Sequence, residues 1–322
     1  TQEISSEMGI DLTKNTDEVL AIISDVLAIE LNEELKNEKN AVGWYSVKMD
    51  RALKILSKIL PKLGKDPEHR QVFKIALAVT SNQKAPEDNL KLAVAAYEHW
   101  IENGKLPTSL PTSGSAETAM VKAFRQYNKM VEKKGSDFVH AFINEQWRFG
   151  DLKAEGYSIS GELVDTQVMG GTIFGPKVGG AFLANLNGHY EYLTMDRWFM
   201  RTIGRIRGNL YEALDPTVQY KRFRTALRRS KAARKLYDVK IEDFNSDNKM
   251  LSVAKKIQKV YAKTTRKDPV TGQIKTYGKK TELNKAANSL VLRVTKIHEG
   301  PKTGSERAFL RKIMAAAVKK SK

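Results

Sequence analysis

Apolar residues recur along most of this chain with a period near 3.6. Over 17–36, Val19, Leu20, Ile23, Val26, Leu27, Leu31 and Leu35 share one helical face, and Thr16 is placed to cap it. The pattern repeats over 46–63 with Val47, Leu53, Ile55, Leu56, Ile59 and Leu60. In 69–80 the apolar residues Val72, Phe73, Ile75, Ala76, Leu77, Ala78 and Val79 leave almost no polar face, which predicts a helix buried on most sides. Ser81-Asn82-Gln83-Lys84 then interrupts the pattern, and Pro86-Glu87-Asp88 opens a helix running to about 102. After a Gly-, Pro-, Ser- and Thr-rich loop over 103–115, helices are expected at 116–133 and 136–148. Residues 149–161 read as a Gly- and Ser-punctuated crossing between lobes, and 162–169 as a helix. Further on come a very basic helix at 217–237, a turn or hairpin over 266–280, and a basic amphipathic helix at 304–320. The expected class is all-α.

Charge adds what periodicity leaves out. The net charge is +18 over 322 residues, and it is concentrated. Residues 216–322 hold 29 Lys and Arg against 8 Asp and Glu, whereas 1–215 hold 26 against 29. A basic third on a near-neutral body suggests a polyanionic partner, nucleic acid being the usual one, with a solubilising tail or a membrane-surface patch as the plainer alternatives. There is no cysteine, so disulfides, thiol nucleophiles and Cys-ligated metal sites are excluded. The five histidines (His69, His99, His140, His189 and His298) have no metal-ligand spacing, so neither metal nor cofactor is expected. With no membrane-spanning apolar run and no signal peptide in the sequence, a cytoplasmic protein is expected, with no membrane partner.

The chemistry concentrates in 162–208. After the break at Gly170-Gly171 come Ile173-Phe174-Gly175-Pro176-Lys177-Val178-Gly179-Gly180-Ala181. Gly175 permits a tight turn that lets backbone approach a ligand, and Pro176 suits the first turn of the next helix. The amides at such a helix start favour an anion, and a hairpin that grips phosphate in this way reads no base sequence. Downstream, Thr194-Met195-Asp196-Arg197-Trp198-Phe199-Met200-Arg201 places Asp196 at the start of a helix, 19 residues after Lys177.

This arrangement resembles the helix-hairpin-helix (HhH-GPD) DNA glycosylase superfamily, which includes endonuclease III and 8-oxoguanine glycosylase. The matching residues are Gly175, Lys177, Ala181, the apolar run to Leu186, and Asp196 followed by Arg201, and Gly179 is expected with Gly175 and Lys177 to hold DNA backbone. Upstream, Ser81-Asn82-Gln83 at the end of an apolar helix resembles the family turn that fills the gap left by an extruded base. The resemblance covers about 70–210, with Ile173 where the family has its first hairpin glycine. It implies an all-α, two-lobed HhH-GPD-like fold with a basic C-terminal extension. The corresponding divisions are an N-terminal helical segment at 1–69, a core at 70–215 with its hairpin at 162–186, and a basic helical region at 216–322. The flanking segments look more like a divergent phage- or mobile-element branch acting on modified bases.

The implied activity is excision of one flipped-out base from double-stranded DNA by a monomer in a bacterial or phage-infected cell. A carboxylate must stabilise the positive charge that develops on the sugar, a role that falls to Asp196. An amine at Lys177 adds the option of a Schiff base at C1′ and later strand cleavage. A helix N-terminus keeps a carboxylate ionised and lowers an amine's pKa, which suits both roles. Each residue also has an ordinary alternative. Lys177 can simply bind phosphate, and Asp196 can simply cap its helix. Ser81, Asn82 and Gln83 can be a plain turn, and Arg197 and Arg201 grip phosphate or make salt bridges. Trp44-Tyr45 is open between core packing and the base pocket. Trp147 and Trp198 are expected in the core, and Arg307 and Arg311 on a packed terminal helix. The competing class is a non-catalytic helix-hairpin-helix DNA-binding protein of phage or mobile-element origin.

Overall fold

The computed structural model describes residues 9–36, 47, 50–112, 115–212, 215–262, 265–267, 274–276, 282–292 and 296–321. The chain is mostly helical, and the helices follow the apolar spacing. Helix α1 spans Asp17–Lys36, with Val19, Ile23 and Leu27 buried and the Val19 amide donating to Thr16 Oγ1 at 3.3 Å. Within 46–63, two helices stand where one is expected, α2 (Asp50–Ile59) and α3 (Pro61–Lys65). Pro61, which has no N–H to continue a helix, begins the second. Helix α4 (Pro67–Thr80) starts at Asp66, whose carboxylate accepts from the Glu68 and His69 amides at 2.9 and 3.3 Å. Its residues Val72, Phe73 and Ile75 through Thr80 are all buried, as the apolar run requires. Then follow α5 (Pro86–Asn103), α6 (Ser115–Lys134) and α7 (Ser136–Asn144).

The helix expected at 162–169 does not form. Strand β1 (Gln146–Arg148) pairs antiparallel with β2 (Gln167–Met169), in register Trp147 with Val168, and helix α8 (Phe149–Ala154) lies between them. The reason lies in the alternative partners. Val168 and Met169 bury themselves in extended form, and the Glu162 carboxylate is only 1% exposed between Arg307 and Arg311. A buried carboxylate needs those two cations more than it needs a helical turn. Pairing with β2 also explains why α7 stops at Asn144 rather than reaching 148.

The chain divides into two units, 1–208 with 299–322, and 209–298. The basic segment 216–322 is therefore not one body, because its last helix, α14 (Gly304–Lys320), belongs to the first unit. Among the described residues that unit has two hydrophobic cores. The larger is built from α4 to α8 and the hairpin, around Phe73, Tyr97, Phe124 and Leu152. The smaller joins α1, α14 and α9 (Arg197–Arg207) through Ile23, Ile203, Leu310 and Ile313. The buried Arg207 ties the segment before α1 to this second core, donating to the carbonyls of Leu12, Thr13 and Lys14 at 2.8, 2.5 and 3.1 Å. Two histidines serve as core hydrogen-bond partners. His69 Nδ1 meets the Tyr97 hydroxyl at 2.8 Å, and His140 Nε2 meets Tyr127 at 2.9 Å. Burial pushes the Tyr97 phenol up to about 12 and raises that of Tyr127.

The second unit packs α10 (Pro216–Arg229), α12 (Asp247–Ala262) and α13 (Glu282–Leu292) around Phe223, Leu227, Ile257 and Leu290. The helix expected over 217–237 breaks at Ser230, whose hydroxyl caps the short α11 (Lys231–Leu236). Strand β3 (Tyr211–Glu212) pairs with β6 (Lys296–Ile297), and β4 (Thr265–Lys267) with β5 (Ile274–Thr276) in the hairpin that the turn residues predict. Among the described residues no helix is long and apolar enough to cross a membrane.

Glycines set the closest approach in the first unit. A Cβ built on Gly179 would stand 1.7 Å from the Gly171 carbonyl oxygen, and one on Gly170 would stand 1.9 Å from that of Phe142. Backbone cannot yield by that much. Gly179→Ala is expected to cost about 3 kcal/mol or more, seen as a large fall in melting temperature. Gly300→Ala, with nothing within 4 Å of the added methyl, is expected to leave the melt within about 0.5 kcal/mol of wild type.

Candidate active site and nucleic-acid contacts

The hairpin is built from a 3-10 turn at Gly170–Phe174, the reversal at Gly175, and a wide π-helical turn at Val178–Leu183 that continues to Leu186. Its first arm is thus shorter and tighter than an α-helix. The Gly175 carbonyl accepts from the amides of Gly179 and Gly180 at 2.9 and 3.1 Å, and the Lys177 carbonyl accepts from Phe182 at 2.9 Å. Gly175 has φ of 111°, a backbone conformation that favours glycine, and a Cβ there would touch nothing within 4 Å. The turn is therefore constrained by backbone and open on the side where a side chain would point. Helix α4 packs against the hairpin helix from within the larger core.

Lys177 stands at the start of that helix, half-buried. Burial is the main influence that lowers its pKa. The Asp196 and Glu299 carboxylates oppose the shift, and Arg197 adds to it. The direction agrees with the expectation from a helix N-terminus, but the first cause is loss of water rather than the dipole. Asp196 caps α9, its Oδ1 accepting from the Phe199 amide at 2.9 Å. Among the described residues its Oδ2 takes no hydrogen bond. Lys177 and Asp196 are thus within electrostatic reach of each other. One rides on an element of the larger core, and the other opens a helix of the smaller.

What holds them in register is the loop between them. Asn185 is buried, and its Nδ2 lies 2.8 Å from the Ala181 carbonyl, 2.8 Å from the Tyr192 carbonyl and 3.2 Å from Thr194 Oγ1. Met195, 1% exposed, anchors the far end of the loop in the smaller core. Sequence reasoning passed over Asn185, since an asparagine inside an apolar run carries no motif of its own.

The arginines beside Asp196 have a protein partner. Arg197 Nε lies 3.0 Å and Arg201 Nη2 3.3 Å from the same Glu299 oxygen. Glu299 is about a hundred residues away in sequence, and nothing local marks it. Trp198 is not in the core as expected but 70% exposed, with the Arg201 guanidinium 5.1 Å from its ring. The reason is helical phase. Met200, Ile203 and Ile206 occupy the buried face of α9, and Trp198 points away from it. Trp147 does pack against the larger core. Arg307 and Arg311 are committed inward. Arg311 makes a two-pronged contact with Glu162 at 2.7 and 2.6 Å, and Arg307 Nε donates to the Gly161 carbonyl at 3.1 Å.

Ser81, Asn82 and Gln83 follow the end of α4. Ser81 Oγ donates back to the Ala78 carbonyl at 2.7 Å, and Gln83 is exposed with φ of 59°. A left-handed backbone at a residue other than glycine is uncommon, and such strain clusters at functional sites. Among the described residues no hydrogen bond or ion pair joins this turn to Lys177 or Asp196. The connection between them is the packing of α4 on the hairpin helix. Trp44 and Tyr45 lie outside the described residues. Among the described residues no group of three His, Cys, Asp or Glu is placed to hold a metal ion.

Searches of protein families, curated proteins and solved structures return no match to this chain.

Because burial lowers the Lys177 pKa below its unfolded value of 10.5, charging it opposes folding. That penalty is fully present below the folded-state pKa. It fades as pH rises from there to the unfolded value, where the native state releases its proton first. Lys177→Met should therefore melt on the order of 2 °C above wild type at neutral pH, with the gain shrinking towards pH 10.5. Melting curves across pH check this, and a variant less stable than wild type at pH 7 would contradict it.

Proposed function

We propose that this chain is a DNA N-glycosylase that excises a damaged or modified base from duplex DNA. The observation that carries the reading is the half-buried Lys177 within electrostatic reach of Asp196, which caps α9, the one on an element of the larger core and the other on a helix of the smaller. A pure phosphate-binding surface has no use for a carboxylate beside its lysine, because the two would compete for the anion. A site that breaks the bond between C1′ and a base nitrogen needs the carboxylate. The bonding pair leaves with the base, and the sugar left behind carries positive charge that Asp196 stabilises.

Two nucleophiles fit. Water adds to C1′ and loses a proton, giving an abasic site. Alternatively the neutral Lys177 amine adds to C1′, the sugar ring opens, and a Schiff base forms. Loss of a proton from C2′ then expels the 3′ phosphate. Desolvation favours the second route, because it raises the fraction of neutral amine at a given pH. The base must first leave the stack, which costs a few kcal/mol, roughly, and least for a damaged or already weakened pair. In this reading the resemblance to the helix-hairpin-helix glycosylases extends to fold and chemistry. The Ser81–Gln83 turn enters the duplex, and a phosphate takes the place of Glu299 on Arg197 and Arg201. The enzyme acts as a monomer inside a bacterial or phage-infected cell.

The competing reading is a helix-hairpin-helix protein that binds DNA without chemistry. One observation favours it, since capping α9 is reason enough for an Asp at 196. Asp196→Asn separates the two, because Asn caps a helix about as well as Asp but carries no charge. Duplexes bearing damaged or hypermodified bases would be incubated with the protein, then treated with alkali and sized. The enzyme reading expects abasic sites from at least one substrate, with the rate falling about 100-fold or more in Asp196→Asn at unchanged melting temperature. Absence of abasic sites with every substrate would leave only the binding reading.

On a substrate that is cut, borohydride should trap a covalent protein–DNA adduct, and the adduct should vanish in Lys177→Ala. A cleaved substrate that wild-type protein never traps would restrict the chemistry to hydrolysis.

A further inference from the structure

The 209–298 unit carries 22 Lys and Arg against 8 Asp and Glu, so most of the chain's net charge sits in fewer than a third of its residues. The arrangement of these charges matters more than their number. Phe223 and Leu227 on α10 point into the unit's own core. On the opposite face, Val218, Lys221, Arg222, Thr225, Arg228 and Arg229 are all exposed, spaced by three or four residues. The row spans about 17 Å of helix. Several of the unit's acids are engaged, one of them, Glu282, with Arg222 of this row. Asp215 caps α10, Asp247 pairs with Arg224, Asp243 with Lys249, and Glu282 with Arg222 and Lys285. Lys221 and Arg229 have no ion pair among the described residues. Arg228 lies with its guanidinium 4.9 Å from the Phe244 ring, which holds that side chain against the unit.

We infer that the 209–298 unit is a second duplex-DNA-binding surface, with the exposed face of α10 lying in the major groove. It rests on the same ligand as the excision reading but on none of its residues. Three features select duplex DNA among polyanions. A single exposed helix face fits the major groove of B-form DNA, whereas the deep, narrow groove of A-form RNA admits no helix. A membrane-surface helix inserts its apolar face into lipid, but that face of α10 is already buried in protein. Single strands are held by stacking on exposed aromatic rings, and the exposed face of α10 offers none. Thr225, midway along the row, is short enough to let the backbone approach the base edges, with Lys221 and Arg229 a turn away on either side.

The test is fluorescence anisotropy of the full-length chain on a 25-base-pair duplex over about 50 to 300 mM salt. Each phosphate neutralised contributes about 0.9 to the slope of log affinity against log salt. Lys221→Ala/Arg229→Ala removes two exposed cations that have no ion pair among the described residues, so the slope should flatten by about 1.8. Charge reversal in Lys221→Glu/Arg228→Glu/Arg229→Glu should weaken binding further, with circular dichroism reporting an intact fold. The slope is read on unmodified duplex, which needs no excision, so failure of the excision reading and failure of this surface are read separately. An unchanged slope in both α10 variants would overturn the proposal. So would equal affinity for duplex RNA or single-stranded DNA, or tighter binding to phosphatidylserine vesicles than to the duplex.

Discussion

The arrangement of the first unit depends on one steric fact, the contact of backbone with backbone at Gly171 and Gly179. The two arms of the hairpin approach until a methyl group on Gly179 would overlap the Gly171 carbonyl, and Gly170 stands equally close to the Phe142 carbonyl. Dispersion favours such an approach only because no side chain intervenes. Its effect is to press the hairpin flat onto α7 and α4. Lys177 is therefore set by rigid backbone and not by a flexible loop. A lysine at the tip of a mobile turn would keep its water and its ordinary pKa. This one is half-buried because the arms beneath it cannot separate.

A second constraint acts across the unit. Glu162, just before the hairpin, is buried between Arg307 and Arg311 of α14, and α14 packs along α1 in the smaller core. Arg307 also reaches Met195 Sδ at 3.7 Å, so one side chain touches both the approach to the hairpin and the residue before Asp196. Breaking this triad by removing one member would strand a charge, which is far costlier than the ion pair is stabilising. Helix α14 thus holds the pieces around Lys177 and Asp196 together without itself belonging to the site.

Much of this was legible in the sequence, and what was missed has a common cause. Periodicity located α1, α4, α5, α6 and α14 nearly to the residue, because one buried stripe per helix is enough to define each of them. Gly175, Lys177 and Asp196 stood out because a turn, an amine and a helix start are local features. Strand β2 did not, because Val168 and Met169 fit a helix as well as a strand, and their partner lies some twenty residues upstream. Trp198 was misplaced because aromatic bulk suggests a core, while its position relative to Met200 and Ile203 puts it outside. Glu299 and Asn185 were silent for a further reason. Their importance comes from what they touch, and both touch residues that only the fold brings near.

The antiparallel pairing of β3 with β6 has a consequence for how the chain is made. It brings the two ends of the basic unit together, with the His298 amide donating to the Leu210 carbonyl at 3.4 Å. The unit is therefore a closed excursion from the first unit, leaving after α9 and returning before α14. Helix α1 is synthesised well before α14, the partner that covers it, with the whole basic unit made between them. Contacts at such separation carry the largest loop-closure cost, and they form after the local ones. Synthesis therefore imposes an order. The larger core and the basic unit can each close while translation continues, whereas α1 keeps an apolar stripe uncovered until α14 arrives. The smaller core, and with it the bracing of Asp196, closes after the larger core and the basic unit.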